Sequence, residues 1–277
     1  MFEEIRIDTT VKLNNGVQMP IFGLGTWQTR KGKETQEAVL QALNVGYRLI
    51  DTASMYGNEK DVGEALRKSG LPREEVFITT KLWNSDHGYD KALAAFEESR
   101  KKLGLDYVDL YLIHWPVEGL RSESWRAMEK LLGEGKCRAI GISNYMTWHL
   151  EELLSHSSTT PAVNQVEFHP YLYLKELLDF CQSHDIQLES YSPLTKGVKL
   201  DDPKLVDIAK KYSKTPAQIL IRWVLQHGVI VIPKSSHKER IEENAHVFDF
   251  TISEEDMNAL DSFHQNFRSS WDPSRIP

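Results

Sequence analysis

Residues 108–114, VDLYLIH, are apolar at nearly every position, and residues 229–233, VIVIP, are apolar throughout. A strand with one wet face alternates apolar and polar side chains, whereas a strand buried on both faces has no need to. Such runs predict a parallel sheet covered on both sides. β-rich runs recur along the chain at 21–26, 48–52, 76–81, 108–114, 137–143, 162–168, 187–192 and 229–234. Amphipathic stretches lie between them, such as YDKALAAFEESRKKLG (89–104) and TPAQILIRWVLQHG (215–228). The first carries Ala92, Phe96 and Leu103 on one helical face and its charges on the other. Eight βα units fill roughly the ~250 residues of a (β/α)8 barrel. The rival is a doubly wound dinucleotide-binding sheet. GLGTWQ (23–28) begins like its glycine-rich turn, but Gln28 stands where the third glycine belongs. The expected fold is therefore α/β, a (β/α)8 TIM barrel forming one domain over residues 1–277. Two additions flank it. VKLNNGVQM (11–19) predicts a β-hairpin with an Asn-Gly turn that plugs the bottom of the barrel. SEEDMNALDSF (253–263) predicts a terminal helix beginning at Ser253, with Glu254 and Glu255 in its first turn.

Composition narrows the function. With 33 basic and 40 acidic residues among 277, the net charge is −7, which argues against a generic polyanion surface and a nucleic-acid partner. Cys137 and Cys181 lack metal-ligand spacing, so free thiols in a reducing compartment and no metal site are expected. MFEEIRIDTT has no basic or apolar region of a secretory signal, and no apolar run approaches a membrane span. These features predict a soluble, cytoplasmic monomer with no membrane partner.

In a barrel the chemistry sits at the C-terminal strand ends. Those ends carry Asp51, Lys81, His114, Ser143, Asn144, Gln165, Glu167, Tyr191, Ser192, Lys234 and Ser235. Taken singly, each has a plain reading: Asp51 as a turn cap, Lys81 as a solvated charge, His114 as a core histidine, Glu167 and Glu189 as ion-pair partners. Taken together, an Asp, a Lys and a His converge on one barrel mouth, with Tyr56 five residues beyond Asp51. A free phenol has a pKa near ~10, too high for efficient proton donation at neutral pH. A nearby ammonium lowers it, so Lys81, held by Asp51, is expected to make Tyr56 a general acid. His114 can polarise a carbonyl oxygen. Such a site suits carbonyl reduction but needs a hydride from a cofactor. IPKSSHKERIEEN (232–244) ends the last strand and opens a helix, where barrels often bind phosphate, and Lys234, Ser235 and Arg240 could grip one. Tyr191 offers a flat face for an aromatic ring.

From LNNGVQMPIFGLGTW to FDFTISEEDM the chain resembles the aldo-keto reductases over nearly its whole length. GYRLIDTASMYGNEKDVG, VDLYLIHWP and IPKSSHKERIEEN are long, specific matches, closest in character to the bacterial short-loop glyoxal, methylglyoxal and 2,5-diketo-gluconate reductases. The resemblance implies an NADPH/NADP+-dependent reductase of small-molecule carbonyls with Asp51, Tyr56, Lys81 and His114 as its catalytic set. It places cofactor contacts on Thr26, Trp27, Ser143, Asn144, Gln165, Tyr191, Ser192 and Leu194. Around the adenosine phosphate it places Lys234, Ser235, Arg240, Glu243 and Asn244. His114 stands where the steroid-double-bond branch carries Glu. Thr195, Lys196 and Gly197 depart from the family pattern in the loop that crosses the cofactor, and Lys196 reads either as a pyrophosphate ligand or as a solvated lysine.

The rival functions are a cofactor-binding regulatory subunit and a glycoside hydrolase using Glu167 with a second carboxylate, which leaves Lys234 and Arg240 without a role. WPVEGLRS (115–122) and the tail after Phe263 are short for loops that wall the family's substrate pocket. A shallow mouth lined by His114, Trp27 and Trp115, with Trp83 as packing and Trp271 at the rim, favours small aldehydes and α-dicarbonyls over steroids.

Overall fold

The computed structural model of the chain describes residues 5–276. A hairpin comes first, β1 (Thr10–Lys12) paired antiparallel with β2 (Gln18–Pro20). Its turn is closed by the Leu13 N–H donating to Val17 O at 2.9 Å, with Gly16 at φ 88°, as the Asn-Gly pair predicts. The barrel then opens with β3 (Gly23–Gly25), α1 (Lys33–Val45), β4 (Leu49–Asp51), α2 (Glu59–Ser69) and β5 (Phe77–Leu82). It continues through α3 (Tyr89–Leu103), β6 (Val108–Ile113), α4 (Arg121–Gly133), β7 (Cys137–Ser143) and α5 (Thr147–His156). β8 (Val163–Glu167), α6 (Lys175–Ser183), β9 (Gln187–Tyr191), α7 (Pro203–Lys211) and α8 (Pro216–Gln226) follow. The last elements are β10 (Ile230–Val231), α9 (Lys238–Ala245) and α10 (Glu254–Asp261).

Strands β3 to β10 lie side by side in chain order, every neighbouring pair parallel. The ring closes where the Val231 N–H donates to Ile21 O at 3.0 Å and the Gly25 N–H to Pro233 O at 3.2 Å. β10 is shorter than the run 229–234 predicts, because beyond Val231 the chain bridges to β3 only at isolated points such as Gly25 with Lys234. Gly25 is required there: a Cβ would stand 2.9 Å from Ile232 O.

The unbroken apolar character of β6 now has its cause. Leu110 and Leu112 face an inner core with Leu49, Phe77, Val163 and Ile230. Tyr111 and Ile113 face the outer core beneath the helices, where the Phe96 and Tyr111 rings meet edge to face at 5.0 Å. Leu13 and Met19 of the hairpin join the inner core and fill the barrel bottom. Asn14 and Asn15 pin the hairpin there, donating to Pro161 O at 3.0 Å and Arg138 O at 2.9 Å. On α3 the predicted face, Ala92, Phe96 and Leu103, is buried, and Gly104 at φ 68° ends the helix. α8 starts with a capping box, Thr215 accepting from the Gln218 N–H while the Gln218 side chain accepts from the Thr215 N–H. α10 is capped by Ser253, which accepts from the Asp256 N–H at 3.2 Å. Among the described residues no helix is long and apolar enough to cross a membrane.

Candidate active site

Asp51 ends β4 and Lys81 lies one residue before the end of β5, so adjacent parallel strands bring them together at the top of the inner core. The Lys81 ammonium donates to Asp51 Oδ1 at 2.6 Å, Oδ2 at 2.7 Å and Thr52 O at 3.0 Å, and lies 3.4 Å from the Tyr56 hydroxyl. Tyr56 is carried on a short 3₁₀ turn (Ser54–Tyr56) that Gly57 ends at φ 68°. Ser54 ties that turn to β5, its hydroxyl donating to Lys81 O at 2.9 Å. A second carboxyl closes the cluster. The Gln165 amide donates to both Asp51 Oδ2 and Glu189 Oε2, each at 2.8 Å. Glu189 is wholly buried, and its Oε1 finds no partner among the described residues.

Burial raises both carboxyls, and the ammonium opposes that rise in contact with Asp51 but only from a distance at Glu189. Glu189 is pushed up to about 8, by burial and then by the charge on Asp51, and keeps its proton at neutral pH. The expectation that Lys81 lowers the Tyr56 pKa is not met. Burial, then the charge of Asp51 and the charge Glu189 takes on once it ionises, push the phenol well above its ordinary value. The ammonium sits 0.8 Å closer to Asp51 (2.6 Å) than to the phenol oxygen (3.4 Å), so much of its charge is already answered. His114 follows β6, 7% exposed, with its Nδ1 unpartnered among the described residues. Burial and then Lys81 push the imidazole well below its ordinary range, so it is neutral and has one N–H to give. Its ring stands edge-on to Tyr56 at 5.6 Å.

Beside this cluster lies a shelf of amides and hydroxyls. The Ser143 hydroxyl donates to Gln165 O at 2.7 Å, Asn144 Nδ2 to His114 O at 3.0 Å, and the Tyr191 hydroxyl to Asn144 Oδ1 at 2.8 Å. Asn144 (φ 65°) and Ser192 (φ 50°) hold left-handed conformations that few residues adopt without reason. A cleft of about 1010 Å³ runs past Trp27, Tyr56, His114 and Trp115 at one end, the shelf, Ser192 and Leu194 in the middle, and Lys234, Ser235, Arg240, Glu243 and Asn244 at the other. Lys234 and Arg240 are exposed, and Arg240 sits in the first turn of α9. Thr26, among the expected contacts, does not line the cleft. It is wholly buried behind the wall, its hydroxyl spent on Asp51 O at 2.9 Å. Lys81 likewise lies buried behind Asp51 and Tyr56.

Of the tail, only Trp271 was expected at the wall; Arg268, Ser269 and Ser270 were not. Segment 268–271 borders the cleft, and Trp271 leans on Trp115 at 5.6 Å and on Trp83 at 6.5 Å between ring centres. Trp83 also meets His114 at 5.2 Å, so it packs against the site itself. Lys196 is exposed at the edge of the cleft, and its ammonium donates to the carbonyl of Ser269. Glu167 pairs with His169 at 3.2 Å and with the tail serines, while Glu189 pairs with an amide and no cation. No periodicity marks such contacts; a polar tail beside a lone Trp was the available signal.

The model of the Aldo/keto reductase family matches residues 22–265. An uncharacterized oxidoreductase, YtbE, of Bacillus subtilis is 54% identical over 268 residues, 95% of this chain and 96% of that protein. Glyoxal reductase of the same organism is 52% identical over 267 residues, 96% of this chain and 97% of that one. The crystal structure of Bombyx mori aldo-keto reductase in complex with NADP superposes with a TM-score of 0.91 at 37% identity, covering 99% of this chain and 98% of that one. With the barrel, the hairpin plug and a buried Asp-Lys-Tyr-His cluster at one end of a long cleft, these matches establish that the chain belongs to the aldo-keto reductases, a family of NADP(H)-dependent carbonyl oxidoreductases.

Proposed function

We propose that this chain is a single-domain NADPH-dependent reductase of small aldehydes and α-dicarbonyls, with Tyr56 as the general acid. The observation that carries it is the Tyr56 hydroxyl, 3.4 Å from the Lys81 ammonium and beside neutral His114, on the wall of the cleft. The donors lining the cleft fit NADPH. Lys234, Ser235 and Arg240 would hold the 2′-phosphate, with Glu243 and Asn244 at the adenine end. Ser143, Asn144 and Gln165 would take the carboxamide, Tyr191 would give its ring face, and Trp27, Ser192 and Leu194 would border the dinucleotide. Bound there, NADPH supplies the hydride.

The remaining chemistry belongs to the side chains. His114 gives its N–H to the carbonyl oxygen and fixes where that oxygen sits. Tyr56 passes its phenolic proton to the same oxygen as charge builds, so that one hydride and one proton turn C=O into CH–OH. The raised pKa makes the phenol a weaker acid, but it stays protonated through the neutral range and can still give its proton to the developing alkoxide, which is more basic than a phenolate. Lys81 stabilises the phenolate left behind, and Asp51 fixes Lys81. The buried free thiols Cys137 and Cys181 accord with work in a reducing cytoplasm. The Bacillus glyoxal reductase supports the α-dicarbonyl class.

The experiment is Tyr56→Phe assayed with methylglyoxal by loss of NADPH absorbance. Turnover should fall by at least ~10²-fold, the usual worth of a positioned acid, with NADPH affinity unchanged. An inert wild type, or a variant that still turns over, would overturn the assignment.

A further inference from the structure

Glu167 closes β8 at 2% exposure, and its carboxylate is directed at a backbone segment about a hundred residues further on. Its Oε1 accepts the Ser269 N–H at 2.7 Å, the Ser269 hydroxyl at 2.6 Å and His169 Nε2 at 3.2 Å. Its Oε2 accepts the Ser270 N–H at 3.1 Å. From the opposite side, the Lys196 ammonium donates to Ser269 O. The peptide unit between Ser269 and Ser270 is thus held at both ends, its N–H by an anion and its C=O by a cation. Lys196 is aimed by backbone strain: Thr195 and Lys196 are successive left-handed residues at φ 53° and 52°, and the first is β-branched. The Lys199 N–H donating to Thr195 Oγ1 at 3.1 Å steadies that turn.

The clamped segment carries Trp271 directly after Ser270. At 64% exposure its indole has little burial of its own to hold it; it rests on Trp115 and Trp83 at the substrate end of the cleft. Burial works to raise the Glu167 pKa, but the hydrogen bonds from His169 and Ser269 outweigh it and hold the carboxyl below its ordinary range. The group stays anionic, an acceptor only, which suits its four donors.

We propose that Glu167 and Lys196 are positioning residues for substrate selection: by clamping the Ser269–Ser270 peptide they stand Trp271 over Trp115 as the outer wall of the pocket, so that flat aromatic aldehydes depend on the clamp and methylglyoxal does not. This rests on the carbonyl-reductase reading of the same site.

The test compares 4-nitrobenzaldehyde with methylglyoxal in Glu167→Gln, Trp271→Ala and the double variant, with Lys196→Met as a second route to opening the clamp. Glu167→Gln should raise KM for the aromatic aldehyde about tenfold, the worth of one or two aromatic contacts, while kcat, the methylglyoxal KM and NADPH affinity hold. In the Trp271→Ala background the same change should add nothing, since both act through one wall. Independently of turnover, trypsin should cut after Arg268, at the bond whose N–H Glu167 holds, faster in Glu167→Gln and in Lys196→Met than in wild type. Additive effects on KM, a parallel loss of kcat on both aldehydes, or unchanged cleavage after Arg268 would overturn the clamp. If wild type reduces neither aldehyde, the carbonyl-reductase reading fails, and cleavage after Arg268 still decides whether the clamp exists.

Discussion

Lys81 donates to both carboxylate oxygens of Asp51, at 2.6 and 2.7 Å, and neither side chain has more than 3% of its surface in solvent. Removing one partner strands a buried charge, at a cost of about 3–5 kcal/mol. Lys81→Met and Asp51→Asn should each lose stability on that scale in urea unfolding and lose nearly all turnover. The double variant should be destabilised by less than the sum, because the second change removes the stranded group. Strict additivity would mean that the pair is not coupled.

Glu189 binds its proton more tightly folded, with a pKa of about 8, than unfolded, near the ordinary 4.5. Its contribution to stability is complete below the unfolded value and is lost as pH rises through the folded one. Wild type should therefore fall in stability relative to Glu189→Gln between about pH 5 and pH 9, most steeply below about pH 8. Urea midpoints of the two proteins across that range test it. Parallel curves would show that Glu189 ionises at its ordinary pKa.

Arg240, in the first turn of α9, and exposed Lys234 line the same cleft and are proposed above to hold the 2′-phosphate. Arg240→Ala should weaken NADPH binding by about 1.5–3 kcal/mol, the worth of one charge-assisted hydrogen bond. NADH binding should change little. Equal losses for both nucleotides, measured by titration of intrinsic fluorescence, would remove Arg240 from the phosphate site.

Substrate size follows from the wall. Only a short connection separates β6 (Val108–Ile113) from α4 (Arg121–Gly133), and Trp27, Trp115 and Trp271 border the mouth. At ~25 cal/mol per Å² of buried apolar surface, a steroid left half outside gains little. Methylglyoxal should show a higher kcat/KM than any steroid ketone. Low-micromolar KM for a steroid, with small aldehydes poor, would reverse the conclusion.

Much of this was legible before any coordinates. The unbroken runs around Leu110 and Ile230 predict strands buried on both faces, and each of the eight expected strands is present. Asp51, Lys81 and His114 could be brought together because parallel strands in register deliver their ends to one rim. What stayed hidden depends on distance rather than pattern. The rise in the Tyr56 pKa needs the depth of burial and the second carboxyl, Glu189, which is tied to Asp51 only through the Gln165 amide. Nor does the sequence show that the Thr26 hydroxyl turns inward to Asp51 O. Glu167 and Lys196 meet backbone groups of Ser269 and Ser270, and a backbone group has no signature in a sequence.

Leu13 and Met19, wedged beneath Leu49 and Phe77, make the barrel a flask with a single neck. Asp51 meets the cleft beside Tyr56 and His114, so whatever fills that neck stands between the cluster and the solvent there. Corking one opening is enough to lower the dielectric around every charge inside, where each interaction then counts for more. Deuterium uptake should register the cork: with the neck filled, the amides of β4 and β5 around Asp51 and Lys81 should exchange as slowly as those at the sealed floor.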